Sequence, residues 1–278
     1  MSAMNEPRTI TIKPSTGWAA LNLKDLWDYR ELIYFFTWRD LKVRYKQTLL
    51  GASWAVLQPV LTMVVFSIFF GGLAKVPSDG VPYPIFSYTA LLPWTLFSKA
   101  LQDASRSLVS SANIISKVYF PRLILPISST LAGLVDFAIA FVVLLLMMVF
   151  YGIHPIANLW LLPLLILLAL ITAIGVSLWL SALNVMYRDV GHMLPFLNQF
   201  WMYITPIAYS SSIVPEKWRF VYALNPLTGV VEGFRWALLG TGEGPGITLL
   251  ISSCIAILIT ISGLFYFRRM ERKFADLV

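Results

Sequence analysis

The sequence predicts an all-α polytopic membrane protein. It has six transmembrane helices, an N-terminal amphipathic interface helix, a cytoplasmic helix between spans two and three, and short re-entrant helices before span six. Three observations carry this reading. The 278 residues are 58% hydrophobic with a mean hydropathy of +0.74, more apolar surface than a water-soluble core of this size hides. The apolar residues form long unbroken runs. Lys and Arg gather on alternate connections between those runs.

A bilayer core of about 30 Å is crossed by about 20 apolar helical residues. Six stretches meet that length: residues 49–74, 81–101, 123–153, 158–187, 190–214 and 247–267. They are continuous rather than alternating, so helices and not barrel strands are expected. Charge sets the orientation. Arg30, Arg39, Lys42, Arg44 and Lys46 precede the first span, Lys99, Arg106, Lys117, Arg122 and Arg188 follow on the same side, and Arg268, Arg269, Arg272 and Lys273 close the chain. Only Lys75, Lys217, Arg219 and Arg235 fall opposite. Both termini are therefore expected in the cytoplasm. Residues 1–22 are polar and lack the apolar core of a cleavable signal, so the first span directs insertion. The apolar segment 220–241 is not a seventh span, because Asn225-Pro226 splits it and Glu232 and Arg235 would lie in the bilayer. Two short helices are expected instead, at 218–224 and 228–239, dipping back from the outer surface.

Ahead of the first span, Leu23, Trp27, Tyr34, Trp38, Leu41 and Tyr45 recur at helical spacing, with most charges elsewhere on the wheel. This is an amphipathic helix in the membrane interface. Arg30 and Arg44 intrude on its apolar stripe and must snorkel or find partners. The helix either anchors the chain to the membrane or has a further role there. Between the second and third spans, Leu101, Ala104, Leu108, Ala112, Ile115 and Tyr119 repeat in the same way. Twenty structured residues in a connection that needs only a few offer a docking surface for another protein or a cap on the bundle.

Several chemistries are absent. No G-x-x-x-x-G-K-[ST] motif cradles nucleotide phosphates, and the glycines of 240–246 lack the Lys-Ser/Thr ending. The only histidines, His154 and His192, form no H-E-x-x-H, and Cys254 is alone, so no metal site, catalytic centre or disulfide framework is expected. The basic residues flank apolar runs rather than forming a basic domain, which argues against nucleic acid. Asp136 is the one ionisable group deep in a span, read as a proton site or as a neutral or hydrogen-bonded carboxyl between helices. Phe196, Phe200 and Tyr203, at i, i+4 and i+7 with Trp201 and Tyr209 nearby, are either a packing stripe or a wall on which sugar rings slide.

The segments RDLKVRYKQTLLGASWAVLQP (39–59), NIISKVYFPRLILPIS (113–128), NVMYRDVGHMLPF (184–196) and NPLTGVVEGFRWALLG (225–240) resemble the permease subunits of type-2 ABC exporters that move O-antigen, capsular polysaccharide or teichoic acid. The resemblance runs from about residue 25 to 270 and implies a layout. A polar tail (1–22) and an interface helix (23–47) precede a transmembrane domain (48–267) containing a coupling helix region (102–122) and an outer gate (214–241), and a basic tail (268–278) follows. It implies that Arg39, Lys42, Arg44, Asn113, Lys117, Arg122, Arg188 and Asp189 face the ATPase, with Asp189 also a cap for the next helix. Trp54, Phe196, Phe200, Trp201, Tyr203 and Tyr209 would line the substrate channel, and Asn225, Pro226, Glu232 and Arg235 the outer gate. The same resemblance implies a homodimer in a bacterial inner membrane, two ABC ATPase subunits that bind the ATP and Mg, and an undecaprenyl-type lipid-linked glycan as cargo. A type-2 exporter of drugs or small lipids shares the six-span plan. A membrane-embedded glycosyltransferase would need clustered acidic residues at the cytoplasmic face, which the chain lacks.

Overall fold

The computed structural model describes residues 23–46, 51, 53–153, 158–241, 244 and 246–274. The polar tail 1–22, Gln47, the first residues of the stretch 49–74, His154 and the end of the basic tail lie outside them. All elements among the described residues are helical.

Two helices come first, α1 (Leu23–Asp28) and α2 (Arg30–Tyr45), interrupted at Tyr29. The expected stripe of Trp27, Tyr34 and Trp38 is 70%, 72% and 50% exposed. A second stripe at spacings of 3, 4 and 3, Leu26, Tyr29, Ile33 and Phe36, packs on protein instead, with Phe36 buried against Phe120 at 5.5 Å between ring centroids. The helix is thus two-faced, and it does more than lie in an interface. It runs beside the helix Ile124–Phe150 (α6) in parallel register, because the contacts Thr37–Ser128, Asp40–Ser129 and Arg44–Asp136 keep sequence separations of 91, 89 and 92.

The third helix, α3 (Ser53–Phe66), continues through a π-helical segment, Ser67–Leu73, and buries only Ala55, Pro59 and Phe66. By contrast α4 (Tyr83–Ser110) is the centre of the molecule, buried along most of its 28 residues. At 1.5 Å per residue it is about 42 Å long. The separate helix expected at 102–122 is not found: α4 runs through Leu101 to Ser110, and only α5 (Ala112–Ile115) follows before an irregular stretch to α6. No Gly or Pro lies between 101 and 110 to stop the helix, whereas Pro121 keeps Phe120 out of helical backbone.

Next come α6 (Ile124–Phe150), α7 (Leu162–Met186, preceded by a 3-10 turn at Leu159–Leu161) and α8 (Val190–Ile204). The stretch 190–214 was expected to be one span, but its helix stops after 15 residues. Pro206 forces the extended backbone seen at Thr205, and about 22 Å of helix falls short of a bilayer core. The chain then forms α9 (Glu216–Ala223), α10 (Pro226–Leu239) and α11 (Ile247–Glu271). Asn225 caps α10 by accepting a bond from the Leu227 N–H, Pro226 occupies its first turn, and Gly240 ends it with φ 68°.

Among the described residues four helices are long and apolar enough to cross a membrane: Ser53–Leu73, Ile124–Phe150, Leu159–Met186 and Ile247–Glu271. The other two expected spans differ: α4 is long but diluted by Ser87, Tyr88, Thr89, Thr95, Ser98 and Lys99, and α8 is short. Small residues set the close packing. A Cβ on Gly263 would lie 2.5 Å from the Gly175 carbonyl, so α7 and α11 cross nearly backbone to backbone. On α10, Gly229 and Gly233 face Ser252 and Leu165 at similarly short range, which seats that helix between α11 and α7.

Candidate functional site

The functional side chains gather at two ends of the bundle and on one exposed face. At the first end, α2, α4 and α6 meet around Arg44. Its Nη1 donates to Asp136 Oδ2 and its Nη2 to Asp103 Oδ2, both at 2.6 Å. Lys99 Nζ lies 3.5 Å from Asp136, and the Tyr45 hydroxyl donates to the same carboxylate. Asp136, 7% exposed in its side chain, is therefore a hydrogen-bonded carboxyl packed between helices, one of the readings open from sequence, with Arg44 and Lys99 as its ionic partners. Although the Asp103 side chain is 45% exposed, the packed surroundings desolvate its carboxyl and raise its pKa, while the Arg44 guanidinium opposes that rise. Arg44, expected at an ATPase surface, is held inside the chain.

The remaining residues expected to face an ATPase divide in two. Arg39 pairs with Asp40 at 2.8 Å and lies over Phe36, and Arg122 donates to the Glu271 carbonyl and stacks near Phe274. Lys42, Asn113, Lys117, Arg188 and Asp189 are exposed. Arg188 and Asp189 lie beside the end of α4 that leads to Asn113 and Lys117, because Arg106 Nη2 bonds the Gly191 carbonyl and Asn184 Nδ2 the Ser105 carbonyl, and Lys42 is two residues from Arg44, which bonds Asp103 of α4. There, a pocket of about 220 Å³ is lined by Ile115, Ser116, Lys117, Tyr119, Phe120 and Arg122. Asp189 sits at the start of α8 with helical backbone and makes no side-chain cap bond, so its capping role is not realised.

The expected channel aromatics also separate. Trp54, Phe196, Phe200 and Tyr203 are more than half exposed, and the last three form one face of α8. Trp201 packs edge-on against Phe97 at 5.0 Å and donates to Asn225 Oδ1, and Tyr209 shares a 2.7 Å bond with the Tyr222 hydroxyl. These two rings brace the chain between α8 and α10 rather than lining a surface.

At the opposite end Asn225 links α10 to α8, since its Nδ2 donates to Thr205 Oγ1 at 3.0 Å. Arg235 is buried and directs Nε, Nη1 and Nη2 to the carbonyls of Phe86, Pro206, Tyr209 and Ile207, with its guanidinium 3.6 Å from the Phe86 ring centroid. An unpaired arginine in this apolar setting would be costly, and four carbonyls satisfy it. Glu232, Arg235, Asp79 and Ser210–Ser212 border a cavity of about 530 Å³, in which Asp79 accepts from Ser210 and Ser212 at 2.6 and 3.2 Å. Among the described residues no three His, Cys, Asp or Glu side chains converge to hold a metal ion.

Sequence reasoning missed Asp103, Lys99, Asp79 and Glu271 as partners. The second stripe of α2 was legible in its spacing. The long-range ion pairs had no local signature.

Comparison with known proteins places the chain in context. A family model described as ABC-2 type transporter matches residues 31–239. The chain is 30% identical over 250 residues to the O-antigen export system permease protein RfbA of Klebsiella pneumoniae, covering 89% of this chain and 95% of that protein. It is 29% identical over 255 residues to RfbA of Myxococcus xanthus, covering 90% and 96%. It is also 23% identical over 238 residues to the polysialic acid transport protein KpsM of Escherichia coli, covering 84% and 91%.

Proposed function

The chain belongs to the ABC-2 type transporter family, and from that premise we propose that it is the membrane permease of an ATP-driven polysaccharide exporter. The observation that carries the proposal is the near full-length similarity to O-antigen export permeases, with KpsM as a capsule-related relative. In this reading two copies form the conduit and a lipid-linked glycan of undecaprenyl type passes between them. Two separate ATPase subunits supply energy, since the chain carries no phosphate-cradling loop.

The six-span topology in a bacterial inner membrane belongs to this proposal, with both termini cytoplasmic. Its fifth span is then α8 together with the non-helical stretch after Ile204. Irregular backbone at membrane depth persists only against protein or water, and the contacts of Thr205–Tyr209 with Arg235 and Tyr83 supply such surroundings. The exposed residues Lys42, Asn113, Lys117, Arg188 and Asp189 form the ATPase dock around the pocket at Ile115–Arg122. The exposed face of α8, with Trp54 of α3, lines the conduit. Flat aromatic rings suit a polymer whose hydroxyls cost about 2–7 kcal/mol each to bury unpaired, because a ring face touches sugar C–H groups without fixing any one of them. Asn225, Pro226, Glu232 and Arg235 shape the outer end.

Deleting the gene should abolish surface polysaccharide while lipid-linked glycan accumulates inside the cell, and the intact gene in trans should restore export. Unchanged surface polysaccharide in the deletion strain contradicts the proposal.

A further inference from the structure

We infer that Arg44 is a positioning residue that transmits motion of the ATPase dock to the first span, acting from inside the chain rather than by touching the ATPase. This rests on the exporter reading above. The guanidinium forks to two carboxylates on two different helices, Asp103 of α4 and Asp136 of α6, each at 2.6 Å. The connection between those helices, Ser111–Leu123, is the proposed dock. A push on that connection would act on the directly packed pair α4 and α6, and Arg44 holds the end of α2 to both of them.

Arg44 is itself near the end of α2, which leads into α3. Two further bonds hold α2 to α6 in the same register: Ser129 Oγ donates to Asp40 Oδ2 at 2.9 Å and Thr37 Oγ1 to the Ser128 carbonyl at 3.4 Å. Thus α2 rides on α6, and Arg44–Asp103 ties α2 to α4, which itself packs directly on α6 through contacts such as Tyr88 Oη to the Ala140 carbonyl and Lys99 to Asp136. Lys99 of α4 ties that helix to Asp136 of α6, and Arg39 is paired with Asp40, so Arg44 is the cation among these that joins α2 to Asp103. A forked guanidinium is required because an ammonium is a compact point charge that does not span two carboxylates in this geometry. The proposed coupling element is thereby a contiguous set of side-chain contacts joining α2, α4 and α6, and the variants below measure whether it carries coupling.

The test uses the purified permease–ATPase complex in proteoliposomes, with ATP hydrolysis and glycan export measured on the same preparation. Asp103→Asn is the main variant, since it preserves the shape of a side chain that is 45% exposed, and detergent melting checks that the variant folds. ATP hydrolysis should persist while export per ATP falls about tenfold, within the range such networks carry. Asp103→Glu should restore most of the loss, and Arg44→Lys should behave like Asp103→Asn. Unchanged export per ATP in Asp103→Asn overturns the inference and leaves the exporter reading standing. Hydrolysis and export falling in parallel with melting temperature also overturns it, by reducing Arg44 to a structural role. A wild-type complex that hydrolyses ATP but moves no glycan overturns both.

Discussion

Two arginines at opposite ends of the bundle do different work. Arg235 spends its donors on four backbone carbonyls within two short segments, and backbone cannot rotate away. Arg44 divides its donors between carboxylates on separate helices, which shift with those helices. The first arrangement clamps the end that holds α9 and α10. The second joins side chains of three separate helices, α2, α4 and α6. Burial by itself does not distinguish the two roles; what the guanidinium grips does.

The comparison can be broken most forcefully at the clamp. Arg235→Met leaves four buried carbonyls short of a donor, each orphan costing ~1–3 kcal/mol but not additively, so about 4 kcal/mol is expected. For a chain of this size that lowers the melting temperature by on the order of 10 °C in detergent. A drop of under about 2 °C would show that the carbonyls find other donors. Gly229→Ala, on the clamped helix, puts a Cβ 2.8 Å from Ser252 Cβ and 3.1 Å from Leu249 Cα and should cost about 2 kcal/mol by overpacking. Its counterpart near Arg44 sharpens the contrast. A Cβ at Gly133 meets Leu96 Cδ1 at an ordinary 3.6 Å, so Gly133→Ala should be neutral or stabilising by up to ~1 kcal/mol through helix propensity.

Smaller still is the double change Phe200→Ala and Tyr203→Ala. Both rings are 56% exposed, so the melting temperature should move by no more than about 2 °C, as for surface substitutions of ~0.5 kcal/mol, while export slows. A large loss of stability with export per folded molecule unchanged would assign the rings to packing. Asp189→Ala should change stability by less than ~0.5 kcal/mol, because its side chain caps nothing; a loss near 1 kcal/mol, measured by the same melts, would restore the capping role.

Much of this was legible before any coordinates. The break at Asn225-Pro226 and the short helices around it follow from local rules, since Asn caps and Pro opens a helix. Gly229 and Gly233 spell the small-x-x-x-small spacing of close helix contact. The end of α8 was legible too, in Thr205-Pro206, but apolar residues beyond it disguise the stop. Harder is α2, where Trp27, Tyr34 and Trp38 form a conspicuous stripe while the quieter one, through Phe36, packs on protein; hydropathy does not tell a lipid-facing surface from a protein-facing one. The Arg44 bridge was illegible, because residues 44, 103 and 136 become neighbours only once three helices are packed.

The most direct measurement of the whole account is ATP-driven transfer of a lipid-linked glycan into sealed proteoliposomes, with the permease, the ATPase or both present. The account predicts transfer only when both subunits and ATP are supplied, with no activity from the permease alone. Transfer by the isolated chain, or none by the complete complex during ATP hydrolysis, would contradict it.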